Sequence, residues 1–260
     1  MKTLSPTGLI KVHGTRYLID TLGFEKHMRQ VRARRGDTVP PVWYKRPSMY
    51  GLHLERDKIQ GTDEILKIPS FVEKPDYEFE IVAFFTESIK TTSITEAIAF
   101  VKTKMLFTIM NDMSARDHQA EDMLLPLWVG PSKGILPKSF GPHFVHGSVL
   151  NFDENGVPDI PMRLFVNNTP RCDDNFRSIY FNDPETGAKK CWGFAQVITW
   201  FGTKNQGFEK GGLLGSGTIG NGSIAENASY SWLQHGDNIK MEAIGIGVLE
   251  NTVHTKTISV

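Results

Sequence analysis

The chain has 260 residues and a balanced charge, with 29 Lys and Arg residues against 29 Asp and Glu residues. This length is enough to bury a sizeable core, and the charge balance gives no basic footprint of the kind that nucleic-acid-binding proteins carry. The two cysteines, Cys172 and Cys191, make neither a disulfide framework nor a zinc site. The sequence has no signal peptide and no apolar run near ~20 residues, so we expect a cytoplasmic protein without membrane contact.

Hydrophobic period and turn residues predict mixed α and β structure. The 24 glycines and 14 prolines are scattered, which indicates many turns between short strands. The predicted elements are short strands over 1–20, a helix over 24–35, a strand from 42, strands over 65–69, 74–85 and 105–110, a helix over 93–102, a helix capped by Ser114, a tight turn over 130–134, a hairpin at 167–168 and a strand over 239–244. Residues 192–201 form either a helix or a strand, and the sequence leaves that choice open.

Three carboxylates in the middle of the chain indicate a cation site. Glu78 and Glu80 lie two residues apart in the predicted strand, so the strand period of 2 places both on one face. Neighbouring carboxylates beside apolar residues repel each other and lose solvation unless a positive group lies between them. The strand over 105–110 delivers Asp112 at its end as a third carboxylate. Oxygen ligands of this kind suit Mg²⁺, Ca²⁺ or Mn²⁺.

Other polar residues could contact a ligand, but their pattern is less specific than that of the three carboxylates. Arg116 and Gln119 are three residues apart on a predicted helix, so they share a face that could hold a ligand carboxylate or carbonyl. A structural ion pair with Asp112 or Asp117 is the alternative for Arg116. The glycine-rich segment 211–223 lets a ligand approach the backbone closely, but it lacks the ending of a phosphate-binding loop and is weak evidence for a dinucleotide site.

Five motifs follow one another along the chain: Asp76-Tyr-Glu-Phe-Glu80, Asn111-Asp-Met-Ser-Ala-Arg-Asp-His-Gln119, Gly130-Pro-Ser-Lys-Gly134 followed by Gly141-Pro142, Gly215-Ser-Gly-Thr218, and Leu233-Gln-His-Gly-Asp237 with Ile244-Gly-Ile-Gly247. In their joint order and spacing they resemble the fumarylacetoacetate hydrolase superfamily over roughly residues 20–253. The resemblance implies an α+β fold, a mixed β-sheet roll of the fumarylacetoacetate hydrolase C-terminal domain type with a few peripheral helices. We expect residues 1–41, strands and a histidine-bearing helix, to pack on a catalytic domain over 42–260.

The resemblance also implies the roles of individual residues. The implied metal ligands are Asp20, Glu78, Glu80 and Asp112. The implied catalytic residues are His27, which follows Asp20 by seven positions, its partner Glu226 at the end of a Gly222-x-x-x-Glu226 run, and Lys133 beside the metal. The candidate substrate contacts are Tyr50, Arg116, Gln119, Gly217 and Thr218. His27 on its own would be assigned to the surface or to a satisfied core position.

We therefore predict a hydrolase that acts on ketonic substances and depends on Mg²⁺, or on Ca²⁺ or Mn²⁺. Because enzymes of this family are usually homodimers, we also expect a homodimer. Its substrate would be a β-diketo or 2-oxo acid of the acylpyruvate or fumarylacetoacetate type. The C–C bond would break through an enolate held at the cation, after attack by a water that His27 and Glu226 activate. A 2-oxo acid decarboxylase, a tautomerase, a hydratase or a non-catalytic metal-stabilised binding protein are the alternatives.

Two residues depart from the family pattern. Leu22 stands where the hydrolases have a tyrosine, which weakens any claim to the same substrate. Gln30 stands where smaller pyruvate-type relatives have a glutamate on the histidine helix. The second departure favours pairing of His27 with Glu226.

Overall fold

The structure is a computed structural model that describes residues 5–124 and 130–255. Its α-helices are α1 (Pro6–His13), α2 (Glu25–Ala33), α3 (Pro41–Lys45), α4 (Ile94–Lys104), α5 (Arg116–Asp122), α6 (Gly130–Ile135) and α7 (Phe194–Thr203). Its strands are β1 (Tyr17–Thr21), β2 (Met49–His53), β3 (Ile59–Gln60), β4 (Ile65–Ile68), β5 (Pro75–Asp76), β6 (Phe79–Phe85), β7 (Met105–Asp112), β8 (Ser114–Ala115), β9 (Lys138–Phe140), β10 (Val145–His146), β11 (Pro161–Val166), β12 (Thr169–Asn175), β13 (Tyr180–Asn182), β14 (Lys189–Cys191), β15 (Leu213–Gly215), β16 (Asn238–Ala243) and β17 (Gly247–Thr255). Short 3₁₀ turns lie at Arg56–Lys58, Gly147–Val149, Phe176–Ile179 and Ile224–Glu226.

The larger sheet brings distant parts of the chain side by side. Its strand order is β2-β1-β15-β6-β7-β9-β3, and β10 also pairs with β7. β1 runs parallel to β15 and places Asp20 opposite Gly215, while β15 runs antiparallel to β6. Every residue of β6 is buried, as expected for a run of aromatic and β-branched residues covered on both faces. The sheet therefore places β1, β6 and β7 among four consecutive strands.

A second, five-stranded sheet has the order β12-β11-β16-β17-β4 and packs over the same core. β16 alternates buried and half-buried residues, which confirms the strand predicted over 239–244. Asn167 and Asn168 both have positive φ and close the predicted hairpin between β11 and β12. Mixed sheets with a few helices thus confirm the predicted α+β fold class.

The structure confirms some predicted helices and corrects other elements. The helix predicted over 93–102 is α4, and Ser93 Oγ caps it by accepting from Glu96 N at 3.3 Å. Residues 192–201, for which the sequence left helix and strand open, lie mostly in helix α7. The short strands predicted over 1–20 are wrong at 6–13, and the strand predicted from 42 is also wrong, because Pro6 and Pro41 stand in the first turns of helices α1 and α3. The turn predicted over 130–134 is also a helix, α6.

The described part of the segment 1–41 contributes β1 to the larger sheet. β1 pairs with β2 on one side and with β15 on the other. The division of the chain at residue 41 stays a prediction. Among the described residues, no helix combines the length and the apolar character that a membrane crossing requires.

Candidate active site

Three buried carboxylates from strands β1, β6 and β7 of the larger sheet lie close to one another. Asp20 lies near the end of β1, Glu80 in β6 and Asp112 at the end of β7, and one oxygen of each lies within 4.8 Å of the others. Their exposed fractions are 2%, 1% and 0%. Gly215 leaves room for this cluster, since a Cβ there would lie 2.1 Å from Asp20 Oδ1 and 3.1 Å from Glu80 Oε2.

Two carboxylates of this cluster have raised pKa values. Burial, and then the neighbouring Asp112, raise the pKa of Asp20 to about 6. Burial and Asp20 raise the pKa of Glu80 well above its usual value. A cation bound between carboxylates would favour their charged forms and reverse both shifts.

Glu78 has a different environment from the other carboxylates. The strand predicted over 74–85 is broken at 77–78, so Glu78 lies between β5 and β6. Its Oε1 accepts from Arg116 Nη2 at 2.6 Å and its Oε2 from Lys133 Nζ at 2.5 Å. Burial favours the neutral carboxyl, but Arg116 and Lys133 outweigh it and hold the pKa of Glu78 well below its usual value. Glu78 lies outside the three-carboxylate group found among the described residues, and its metal role stays a prediction.

Two lysines reach Asp112, and sequence reasoning identified only one of them. Lys133 Nζ lies 2.6 Å from Asp112 Oδ2 and 2.8 Å from Ser114 Oγ. Lys138 Nζ pairs with Asp112 Oδ1 and donates to Met113 O at 2.7 Å. Lys138 is missing from the sequence prediction because its contact arises from the pairing of β9 with β7, in which it stands opposite Asp112. Burial lowers the pKa of Lys138, although Asp112 opposes the shift.

The charge balance of the buried cluster fits a divalent cation. Three cationic side chains, Arg116, Lys133 and Lys138, pair with its carboxylates. The buried carboxylates of this cluster are those of Asp20, Asp76, Glu78, Glu80 and Asp112; Asp183 and Glu226 are also buried but contact Lys190 and His27 instead. Five negative charges against three positive charges leave two uncompensated when all groups are ionised. One divalent cation on oxygen ligands supplies that charge.

His27 and Glu226 form a buried pair. His27 Nδ1 lies 3.0 Å from Glu226 Oε1, and the two residues are 4% and 7% exposed. The Glu226 carboxylate is fixed by the backbone N–H groups of Asn221 at 3.0 Å and Ser223 at 2.7 Å. A proton on Nδ1 that points to Glu226 leaves the lone pair on Nε2, the form that a general base requires.

Gln30 supports the loop that carries Glu226. Its Nε2 donates to Asn221 Oδ1 at 2.5 Å, and its Oε1 accepts from Asn221 N at 3.3 Å. Asn221 N is also a donor to Glu226. The glutamine at this position therefore stabilises the turn beside the pair.

Arg116 forms ion pairs, but its partners differ from those considered in the sequence analysis. Its Nε donates to Asp76 Oδ2 at 2.8 Å, its Nη2 donates to Glu78, and its Nη1 donates to Gln119 Oε1 at 2.8 Å. Asp76 also accepts from the backbone N–H groups of Ile224 and Ala225, at 2.7 and 3.0 Å. Arg116 and Asp76 thus join the carboxylate cluster to the 3₁₀ turn of Glu226. The substrate roles of Arg116 and Gln119 stay predictions.

The remaining predicted site residues also contact the carboxylates. Tyr50 Oη donates to Asp112 Oδ2 at 2.7 Å. Thr218 Oγ1 and Gly217 N donate to the two oxygens of Glu80 at 3.3 and 3.2 Å. Ser114 is not the helix cap that the sequence suggested, because Ala115 holds that position and Ser114 Oγ donates to Glu78 at 3.3 Å.

A cavity of about 210 Å³ opens onto this centre. Its polar wall includes Asp20, His27, Glu78, Glu80, Lys133 and Thr218. Its apolar wall includes Leu22, Met28, Val31, Met49 and Met123. The volume suits a small organic acid, and the combination of apolar walls with a few polar groups is typical of small-molecule binding sites.

Comparisons with known proteins found a matching family model and a relative of similar length. The family model described as fumarylacetoacetate (FAA) hydrolase C-terminal matches residues 17–254. An uncharacterized protein of Pyrococcus abyssi (strain GE5 / Orsay) is 24% identical over 246 residues, which cover 95% of this chain and 93% of that protein.

Two solved structures share the fold. A fumarylpyruvate hydrolase from Pseudomonas aeruginosa, in complex with Mn²⁺ and pyruvate, is 18% identical with a TM-score of 0.65, covering 92% of this chain and 89% of its own. A 5-carboxymethyl-2-hydroxymuconate delta-isomerase from Mycobacterium smegmatis is 20% identical with a TM-score of 0.64, covering 94% of this chain and 80% of its own.

Proposed function

Because the chain belongs to the fumarylacetoacetate hydrolase family, we propose that it is a divalent-cation-dependent hydrolase that cleaves a C–C bond in a β-diketo or 2-oxo acid. The substrate would be of the acylpyruvate or fumarylacetoacetate type. One observation carries the proposal: Asp20, Glu80 and the His27 of the buried His27–Glu226 pair line the same cavity. That arrangement would bring a cation site and a general base within reach of one small molecule.

Asp20, Glu80 and Asp112 would hold the cation. Their three carboxylates are hard oxygen ligands, and the uncompensated charge of the cluster equals that of Mg²⁺ or Mn²⁺. The bound cation would supply Lewis-acid polarisation of a substrate carbonyl.

His27 would remove the proton from the attacking water. Glu226 holds the imidazole by Nδ1, which presents Nε2 as the base and stabilises the imidazolium once the proton arrives. The resulting hydroxide adds to the carbonyl carbon, and the C–C bond to the neighbouring carbon breaks. The bonding electron pair goes to that carbon, which then takes up the proton that His27 removed. The products are a carboxylic acid and a ketonic fragment.

Cationic and amide groups would stabilise the negative charge that develops on oxygen. Lys133 and Lys138 bring fixed positive charge to Asp112. Gln119 lines the cavity and accepts from Arg116 through Oε1, and its amide N–H groups would donate to the oxygen that becomes negative. Buried donors that are fixed before the reaction stabilise such charge most effectively.

Product analysis tests the reaction type. The metal-loaded protein would be incubated with acylpyruvates, oxaloacetate and 2-oxo-pentenoates in H₂¹⁸O, and the products identified by mass spectrometry. Hydrolysis would give one ¹⁸O atom in the carboxylic acid fragment. A product that keeps the intact carbon skeleton, as isomerisation or hydration gives, or one that has lost a single carbon as CO₂ would contradict the proposal.

His27→Ala tests the general base. Removal of the base should lower kcat by about 10²–10⁴-fold, since general-base catalysis contributes that much. Cation binding should persist, because the ligand carboxylates lie on other elements, so the increase in melting temperature on adding Mn²⁺ should match that of the wild type. Full hydrolytic activity in this variant would exclude His27 as the base.

A further inference from the structure

A second cavity, of about 280 Å³, shares no lining residue with the cavity of the candidate active site. One part of its wall is apolar or aromatic and includes Val166, Ile224, Tyr230, Trp232 and Leu233. The proposed reaction uses none of these residues. Apolar walls with a few polar groups are typical of small-molecule sites, so the polar groups of this cavity decide which ligand it would take.

Tyr77 lines this cavity and carries a buried hydroxyl without a partner. The residue is 1% exposed, and its Oη makes no hydrogen bond within the part of the chain that the structure describes. Burial, followed by the charge of Asp76, raises the pKa of Tyr77 above its usual value, so the hydroxyl keeps its proton and can donate. A buried donor without an acceptor is unfavourable, and an acceptor bound beside it would remove that cost.

Arg171 reaches the same cavity from an irregular edge strand. β12 lies at the edge of the five-stranded sheet, and its register with β11 shifts between Leu164 and Phe165, so that Arg171 has no partner across the ladder. β-bulges of this kind redirect a side chain. Arg171 Cζ lies 4.0 Å from the ring centre of Tyr230, and the guanidinium makes no ion pair or hydrogen bond with any described residue. Its charge is therefore available to an anion.

Asp237 limits the charge that this anion can carry. Its carboxylate also lines the cavity, and both of its oxygens already accept hydrogen bonds, Oδ1 from Asn167 Nδ2 at 2.8 Å and Oδ2 from Gln234 N at 2.7 Å. This charge would repel a dianion such as phosphate more strongly than a monoanion. The two donors without acceptors, Arg171 and Tyr77, match the two oxygens of one carboxylate.

We propose that this cavity is a second ligand site, which binds a small monocarboxylic acid with an apolar body. The guanidinium of Arg171 pairs with the carboxylate, and the Tyr77 hydroxyl donates to one of its oxygens. The aromatic part of the wall covers the apolar body. This site depends neither on the cation nor on the proposed reaction, so it can be tested separately from both.

Fluorine NMR titration of the metal-stripped protein with 4-fluorobenzoate tests the proposal. The control ligand is 4-fluorobenzamide, which has the same ring but no charge and should bind much more weakly. The acid should bind saturably to the wild type, and about tenfold more weakly, or less, to Arg171→Gln and to Tyr77→Phe. Arg163→Gln is the matched control, because Arg163 lies on the neighbouring strand β11 and pairs with Asp173 at 3.5 Å. Its affinity for the acid should equal that of the wild type.

A variant of the catalytic cavity separates the two sites. Arg35 lines only the cavity of the candidate active site, so Arg35→Gln should leave the affinity for 4-fluorobenzoate unchanged. Without ligand, Tyr77→Phe should melt at the same temperature as the wild type or higher, because it deletes a buried donor that has no acceptor.

Three results would overturn this second site. The first is absence of saturable binding to the wild type, or equal binding of the amide. The second is wild-type affinity in the folded Arg171→Gln and Tyr77→Phe variants, or loss of binding in Arg35→Gln, since either result assigns the acid to another cavity. The third is displacement of the acid by inorganic phosphate at equal concentration, which would contradict the choice of a monocarboxylate.

Discussion

Asp20 couples proton binding to cation binding at the centre of the site. Its pKa is raised from 3.8 to about 6, so the folded, metal-free protein holds this proton more tightly than the unfolded chain. The resulting stabilisation is fully present below about pH 3.8 and is lost as the pH rises through about 6. The shift corresponds to about 3 kcal/mol. A cation must displace the same proton, so its binding should weaken as the pH falls below about 6.

Melting temperatures at pH 5 and pH 8 check this coupling. The increase caused by saturating Mg²⁺ or Mn²⁺ should be larger at pH 8, where Asp20 is ionised. Asp20→Asn is the control: it should lose the cation-induced increase, and its metal-free melting temperature should fall less than that of the wild type between pH 4 and pH 7. Equal cation-induced increases at the two pH values in the wild type would contradict the coupling.

The sequence identified carboxylates more readily than their partners. Asp112 is recognisable because it ends a buried apolar strand, and Glu80 because it stands inside an aromatic one. Lys138 shows no such pattern, since its role follows from the strand pairing that sets it opposite Asp112. Asp76 likewise acquires its role only when Arg116 and the backbone of Ile224 reach it from distant parts of the chain.

At the level of elements, β15 determines how close the ligands come. Gly215 pairs with Asp20 across the sheet, and a Cβ at this position would lie 2.1 Å from Asp20 Oδ1. Gly215→Ala should therefore push Asp20 out of the cluster and lower Mn²⁺ affinity by about tenfold or more, as loss of a ligand does. Calorimetric titration of the metal-stripped variant measures the effect.

Gly134→Ala is the control for the glycine substitution. It lies in α6, and its added Cβ would meet Leu52 Cδ1 at 3.7 Å, an ordinary contact. Alanine is favoured over glycine inside helices by about 1 kcal/mol, so this variant should be as stable as the wild type or more stable. Equal Mn²⁺ affinity in Gly215→Ala and the wild type would contradict the role given to β15.

Elements with strong local signals were predicted, and those set by contacts elsewhere were not. α4 has a serine cap and apolar residues at helical spacing, and it lies where predicted. α3 carries Val42, Trp43 and Tyr44, which favour a strand by composition, yet Pro41 begins a helix there. Trp43 and Tyr44 pack against Phe181, far along the chain, and this contact outweighs the local preference.

At the scale of the whole molecule, the candidate site exists only in the assembled sheet. Asp20 and His27 come from the first 41 residues, Glu80 and Asp112 from the middle strands, and Glu226 from a turn near the end of the chain. The sequence motifs and the resemblance named all five of these residues as candidates, but their convergence depends on β1 lying between β2 and β15. The pairing of β1 with β2 and β15 therefore both stabilises the sheet and positions the site residues.

The fragment 42–260 should accordingly fail to fold alone. Removal of 1–41 deletes β1, leaves β2 and β15 without their shared partner, and takes away the apolar side chains of Ile10, Leu18 and Phe24, each at most 1% exposed. Burial of three such side chains contributes about 5–9 kcal/mol, comparable with the about 5–15 kcal/mol that stabilises a typical domain.

Thermal unfolding of the fragment, followed by circular dichroism and by the dispersion of its amide NMR signals, measures this dependence. We expect no cooperative transition for 42–260 alone, and recovery of one when residues 1–41 are co-expressed as a separate chain, because the strand pairing of β1 does not require a continuous backbone. A cooperative transition of the fragment by itself would instead establish 42–260 as an independent domain. Its Mn²⁺ affinity should then still fall below that of the full chain, since Asp20 is absent.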